Sequence, residues 1–226
     1  MARNRFGGRT FVVMSALLGA LALSVSARAQ DRMPPIPADK MTDAQKKAVA
    51  DYKAIRGTEL TAPPWTVILR TPSQVVPALQ IRLHYLNDSA LDQRLTEFAI
   101  LIAARRWTNN FEWNAHSAAA TRAGLKPEVI AAVAEGRRPL RLAEDEEILY
   151  DLSTELQDNQ SISDTTYARA LVTFGEPGIV EMASIQGYYT YLAMMMNAAR
   201  VTVGPNTKPA LERFPRLGQG LLETAK

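Results

Sequence analysis

Residues 94–116 have the sequence RLTEFAILIAARRWTNNFEWNAH, which contains the strongest helical pattern in the chain. Apolar side chains recur there at the spacing i, i+3, i+4, i+7 and i+8, namely Leu95, Phe98, Ala99, Ile102 and Ala103. This spacing predicts an amphipathic helix with one buried face. A second helix, over about residues 109–123, is expected to follow the turn at residues 107–108 and to end at Gly124.

Helix signals continue toward the N-terminus. Thr42 and Gln45 have the spacing of a capping box, and Gly57 supplies a C-terminal stop, so a helix is predicted between them. Residues 61–65 contain two prolines and are expected to form a loop. The next helix is predicted over residues 73–86.

The C-terminal half has the same helical character. Pro127 opens a short helix, and residues 143–157 form another with four acids in its first turn, where the helix dipole favours them. Ser163 caps a helix that ends before a break at residues 175–178, and residues 179–200 then form a long, mostly apolar helix. No alternating strand pattern persists, so the fold is predicted to be all-α.

Composition excludes several classes of protein. The chain has no cysteine, which excludes disulfides, thiolate metal sites and a thiol nucleophile. Its two histidines, His84 and His116, leave little material for a metal site, and we expect no cofactor. The net charge of +3 is uneven, because the first 29 residues carry four arginines and no acid. The remainder has 22 basic and 23 acidic residues, which argues against nucleic acid as a partner.

The N-terminus has the pattern of a secretory signal peptide. Three arginines precede an apolar stretch over residues 11–25, and Ala27-Arg28-Ala29 fits an A-x-A cleavage site. The apolar stretch is shorter than the roughly 20 residues of a spanning helix, which disfavours an uncleaved anchor. We therefore expect cleavage after Ala29 and a periplasmic or secreted mature protein with no stable membrane span.

These patterns divide the chain into four segments. They are a signal peptide (1–29), a proline-rich leader (30–41), an all-α domain (42–201) and an irregular C-terminal arm (202–226). The arm contains several prolines and is expected either to wrap a neighbouring subunit or to be loose.

Several motifs in order resemble the carboxymuconolactone decarboxylase family, which shares its fold with the alkylhydroperoxidase D proteins. The matching pieces are Arg94-Leu-Thr-Glu97 with the following Ile-Leu, the Glu112-Trp-x-x-His116 stretch, Ala123-Gly-Leu-x-Pro-Glu128, and Gly175-Glu-Pro-Gly with its helix to Tyr189. The likeness extends from about residue 63 to residue 201. It implies an alkylhydroperoxidase D-like helical bundle, typically assembled as a trimer or hexamer.

The resemblance implies roles for two residues. Glu97 matches the glutamate of the proton relay in the alkylhydroperoxidase D branch, and His116 matches the histidine that closes its C-x-x-C-x-x-x-H motif. Asn109 and Glu112 stand at the two cysteine positions of that motif. Peroxide reduction by that route needs one thiolate to attack and a second thiol to resolve, so the chemistry is unsupported here.

The same residues suggest acid–base chemistry without the resemblance. Glu112 and His116 are four residues apart and project from one helix face, and antiparallel packing would bring Glu97 near His116. A carboxylate beside an imidazole is a plausible acid–base pair near neutral pH. The alternative is that Glu112 and His116 form an exposed helix pair with a purely structural role.

Further side chains are candidates for substrate contacts, each with a structural alternative. Arg105 and Arg106 would clamp a carboxylate, or they are ordinary helix-surface cations. Trp113 would line an apolar pocket or pack in the core, and Tyr188 would present its hydroxyl or be buried. Asn109, which stands where the motif of the resembling family has its first cysteine, is a further candidate for a substrate contact.

The sequence thus predicts a cofactor-free decarboxylase, lyase or lactone-type enzyme that acts on a small organic acid. His116 would be the main proton carrier, with Glu97 and Glu112 orienting it or sharing the proton. A peroxidase-like antioxidant activity and a non-catalytic binding or assembly module are the alternatives. Because the helix over residues 179–200 is apolar around much of its circumference, a homo-oligomer is expected. The alternative cover for that helix is the chain's own C-terminal arm.

Overall fold

The computed structural model describes residues 31–203 and 211–212, and this part of the chain is all-helical, without a β-strand. Its α-helices are α1 (Asp43–Arg56), α2 (Pro63–Ile68), α3 (Val75–Asn87), α4 (Gln93–Arg106), α5 (Asn110–Arg122), α6 (Pro127–Ala134), α7 (Glu144–Asn159) and α8 (Asp164–Ala199). Short 3-10 helices, Ala38–Lys40 and Pro72–Gln74, precede α1 and α3. The all-α prediction is therefore confirmed here. The predicted signal peptide and most of the C-terminal arm lie outside the described residues.

The predicted helix ends form through local hydrogen bonds. At the start of α1, the Thr42 hydroxyl accepts from the Gln45 backbone N–H at 3.3 Å, and the Gln45 side chain accepts from the Thr42 N–H at 3.0 Å. Gly57 closes this helix with a φ of 76°, a left-handed conformation that favours glycine. Ser163 caps α8 by accepting from the Thr166 N–H at 3.2 Å.

The prediction of a loop over residues 61–65 is wrong, because α2 begins within this segment. Pro63 occupies the first helical position, where the missing N–H would have had no intrahelical partner. The residues from Pro64 to Ile68 are all buried, so packing against the rest of the domain stabilises this single short helix. The prolines start a helix here instead of preventing one.

Helix α4 lies at the centre of the bundle. Every residue from Leu95 to Arg105 is buried, because α5, α7 and α8 all pack against this helix. The prediction of one buried face was therefore too narrow: apolar periodicity identifies the first face, while neighbours distant in sequence cover the others. Glu97, a carboxylate on the central helix, is buried as a consequence.

Helix α8 bends at the predicted break. Gly175 has φ 65° and ψ 177°, outside the helical region, so the element consists of two helices joined at a kink. Gly178 then allows a close approach, since a Cβ at this position would lie 2.5 Å from the Cβ of Phe174. Val180 and Met194, beyond the kink, remain 66% and 51% exposed. No helix among the described residues is long and apolar enough to cross a membrane.

Candidate functional site

The turn between α4 and α5 places polar side chains of these two helices opposite each other. Thr108 adopts a positive φ of 47° in this turn, and the Asn109 side chain caps α5 by accepting from the Glu112 N–H at 3.0 Å. The two helices then pack side by side, so Glu97 on α4 faces His116 on α5. Asn109 also donates to the side chain of Asn197 on α8 at 3.2 Å, which fixes the turn against the last helix.

His116 lies between two carboxylates. Its Nδ1 is 2.7 Å from Oε2 of Glu97, and its Nε2 is 3.3 Å from Oε2 of Glu112. The three residues are only 3–4% exposed. The interpretation of Glu112 and His116 as an exposed helix pair is therefore wrong, and the residues grouped by the sequence analysis form one buried cluster.

The environment of His116 favours its charged form. Burial alone lowers the pKa of the imidazole, but the hydrogen bonds and negative charges of Glu112 and Glu97 outweigh it and raise the pKa to about 9. Both ring nitrogens can donate only in the imidazolium form, which matches the presence of an acceptor on each side. At neutral pH the cluster is thus an imidazolium between two acidic side chains.

A tyrosine outside the predicted set of site residues completes the cluster. The ring of Tyr189 on α8 packs edge-on against His116, with centroids 5.1 Å apart and planes at 86°. Burial and the charge of Glu112 raise the pKa of Tyr189 well above its usual value, so its hydroxyl stays neutral. Neither this hydroxyl nor Oε1 of Glu112 has a hydrogen-bond partner among the described residues, although both are buried. Buried polar atoms left in this way often mark a functional site.

A pocket opens onto the cluster. Its volume is about 450 Å³, and Glu97 and His116 form part of its wall, whereas Glu112 does not line it. The other lining residues are Arg56, Arg82, Leu86, Gln93, Ala115, Ala119, Arg122 and Ala123. The site therefore has a cavity of ligand size bordered by Glu97 and His116, whereas Glu112 is buried away from it.

The remaining predicted site residues lie away from this pocket. Arg105 is buried and donates to the backbone carbonyl of Glu212 at 2.8 Å, and the exposed Arg106 pairs with Asp158 at 2.8 Å. Trp113 is fully buried in the core, and Tyr188 donates to the carbonyl of Ala78 at 2.9 Å. With Asn109 engaged at the helix cap, none of these five lines the cavity beside His116. The arginines that do line it are Arg56 on α1, Arg82 on α3 and Arg122 at the end of α5.

The cluster is not arranged to bind a metal ion. Its two carboxylates contact opposite nitrogens of one ring, so the three side chains do not converge on a common point. In the described part of the chain, no group of three or more histidine, aspartate or glutamate side chains forms such a site.

No protein-family model matches the chain, and no curated protein matches it either. The chemistry of the site therefore has to be inferred from its geometry.

Proposed function

We propose that the chain is a cofactor-free acid–base enzyme of the decarboxylase or lyase type, acting on a small organic acid or lactone. The observation that carries this proposal is the pairing of Glu97 and His116, 2.7 Å apart, in the wall of a pocket of about 450 Å³. A buried ion pair with a shifted pKa is a candidate for function when it borders a pocket. Here it opens onto a cavity of ligand size.

The geometry favours a division of roles within the cluster. Both nitrogens of His116 are already bonded to carboxylates, so the ring holds a proton but is not free to reach a substrate directly. Glu97 lines the pocket and contacts the ring, which makes it the group that exchanges a proton with substrate. His116 then acts as the proton reservoir, and Glu112 stabilises its positive charge from behind.

Decarboxylation illustrates the chemistry that such a cluster supports. When the bond between a carboxylate and a carbon next to a carbonyl breaks, CO₂ leaves and the electron pair moves to the carbonyl as an enolate. The enolate carbon must then take a proton, which Glu97 receives from His116 and delivers to the carbon. Water then returns a proton to His116. An enzyme can place this step in a pocket sheltered from bulk water.

We also propose the carboxymuconolactone decarboxylase family and its alkylhydroperoxidase D-like bundle as the closest description of the chain. The order of helices supports this: Glu97 lies on one helix, the Glu112–His116 stretch on the next, and Gly175 at the start of a closing apolar helix. The lack of cysteine disfavours the thiol peroxidase activity of that fold.

Export and self-assembly complete the proposal. The basic and apolar N-terminal pattern supports cleavage after Ala29, and mass spectrometry of the native protein should then find Gln30 as the first residue. An intact N-terminus on cytoplasmic protein would contradict export. The exposed apolar side chains of α8, among them Val180 and Met194, support a homo-oligomer.

The test of the enzymatic proposal is turnover on a panel of carboxylated lactones and β-keto acids. Glu97→Gln and His116→Gln should each lower kcat by about 10²- to 10⁴-fold. Ala118→Gln, on the exposed side of α5, is the matched control and should retain full activity. If no compound turns over, a non-catalytic binding module is the better interpretation. If both site variants keep wild-type activity, the Glu97–His116 pair is not the catalytic site.

A further inference from the structure

Three arginines from three different helices line the pocket beside His116. Arg56 ends α1, Arg82 lies in the middle of α3, and Arg122 ends α5. These positions are far apart in sequence and come together only in the folded domain.

These three arginines have no acidic partner among the described residues, whereas several other arginines do. Arg94, Arg138 and Arg169 each contact two or more carboxylates within 4.0 Å. Arg56, Arg82 and Arg122 contact none among the described residues.

Arg82 is the innermost of the three. It is half-buried, while Arg56 and Arg122 are exposed, and its Nη1 is buried without a hydrogen-bond partner in the described part of the chain. A guanidinium nitrogen removed from water normally has an acceptor, so Arg82 is short of one. Its charge also acts on the hydroxyls of Tyr188 and Tyr189, where it opposes the rise in pKa that burial causes.

The charges around the cavity do not cancel. The three arginines and the imidazolium of His116 carry four positive charges, and Glu97 and Glu112 carry at most two negative charges. An excess of about two positive charges in one cavity attracts a ligand with two negative charges.

We propose that the Arg56–Arg82–Arg122 pocket binds a small dianion with two carboxylates, one held by Arg82 inside and the other by Arg56 and Arg122 at the mouth. Guanidinium groups suit this ligand because each can donate two parallel hydrogen bonds to one carboxylate. That the bound dianion is also the substrate rests on the function proposed above. The binding itself does not, because it involves arginines outside the Glu97–His116–Glu112 cluster.

Isothermal titration calorimetry at low salt tests the binding directly. The probes are a series of straight-chain dicarboxylates of increasing length, with the matching monocarboxylates, inorganic phosphate and the neutral diamides as comparisons. We expect one dicarboxylate length to bind best, at least about tenfold more tightly than its monocarboxylate. Its affinity should fall as salt is added.

Arginine variants locate the two ends of the ligand. Arg82→Ala should weaken dicarboxylate binding by about 10- to 100-fold, and Arg82→Lys should recover only part of it, because an ammonium lacks the guanidinium fork. Arg122→Ala should weaken binding less, by about two- to fivefold, because its carboxylate contact is exposed. Arg106→Ala is the matched control, since Arg106 pairs with Asp158 outside the pocket, and it should bind as the wild type does.

Circular dichroism confirms that each variant is folded before its affinity is compared. The proposal is overturned if folded Arg82→Ala and Arg82→Lys bind dicarboxylates as the wild type does, if monocarboxylates bind equally well, or if only phosphate binds. Binding retained by His116→Gln supports the anion site whatever its turnover. Dicarboxylate binding without any turnover leaves this site in place and refutes the enzymatic proposal alone.

Discussion

The charge on His116 should make the stability of the protein depend on pH in a defined window. The pKa of His116 is about 9 in the folded chain, against 6.5 for the unperturbed side chain. Since a pKa unit corresponds to about 1.4 kcal/mol, protonation of His116 stabilises the folded state by about 3 kcal/mol. This stabilisation is fully present below the unfolded-state pKa and is lost as the pH rises through the folded-state pKa of about 9.

Urea unfolding at a series of pH values measures this effect. Between about pH 6 and pH 9.5 the free energy of unfolding should fall by about 3 kcal/mol, a shift of about 1–2 M in the urea midpoint. The series stops there because burial raises the pKa of Tyr188 and Tyr189, and their ionisation lowers stability at higher pH.

Variants assign the pH dependence to the cluster. His116→Gln should be less stable near pH 6 and should lose most of this slope, because the two carboxylates no longer face a cation. Glu112→Gln, which removes one of the two negative charges beside the ring, should retain roughly half of the slope. Ala118→Gln on the same helix should behave as the wild type does. A slope that is the same in His116→Gln and in the wild type would refute this account of the cluster.

Three further predictions concern packing, reactivity and assembly. Gly178→Ala should lower the free energy of unfolding by about 1–3 kcal/mol, because the new Cβ would lie 2.5 Å from Phe174. Gly187→Ala on the same helix meets no atom within 4 Å and should be neutral or stabilising. Thermal unfolding compares the two variants, and equal effects would contradict the packing argument. Purified protein with a dithiol donor should reduce alkyl hydroperoxides no faster than the donor alone, because no cysteine is present; faster consumption would contradict this. Light scattering should give the mass of an oligomer because Val180 and Met194 are exposed, and a monomer mass that is unchanged on dilution would contradict self-assembly.

Local signals in the sequence predict most of the helices and their ends. Thr42 with Gln45 and Ser163 at α8 act through hydrogen bonds within a few residues, so sequence spacing is enough to find them. The break before the last helix is equally local, because Gly175 adopts a backbone conformation that other residues rarely adopt. The sequence does not reveal α2, since its stability depends on burial of residues 64–68 against distant helices.

The residues of the candidate site also fall into two groups, those that local sequence signals predict and those that depend on tertiary packing. Glu112 and His116 are neighbours on one helix, and a short turn places Glu97 opposite them, so spacing alone brings these three residues together. Arg82 lies on α3 and Tyr189 on α8, and their positions at the site depend on tertiary packing, which no local sequence pattern predicts. Arg105 and Arg106 are closer in sequence to His116, yet the α4–α5 turn leaves both outside the pocket. The positive charge in the pocket comes instead from Arg122, on the same helix as His116, and from Arg56 and Arg82 on helices distant in sequence.

The carboxylates of the cluster and the arginines of the pocket act on a bound anion in opposite directions. Two carboxylates beside His116 would repel an anion, yet the imidazolium offsets one of them and the arginines outnumber the remainder. Neutralising His116 in the folded protein removes one positive charge from a cavity whose excess is about two, so dicarboxylate affinity should fall as the pH rises through about 9. If dicarboxylate affinity stayed constant as the pH rose through about 9, the arginines alone would account for binding, and the Glu97–His116–Glu112 cluster would be electrostatically separate from the pocket it borders.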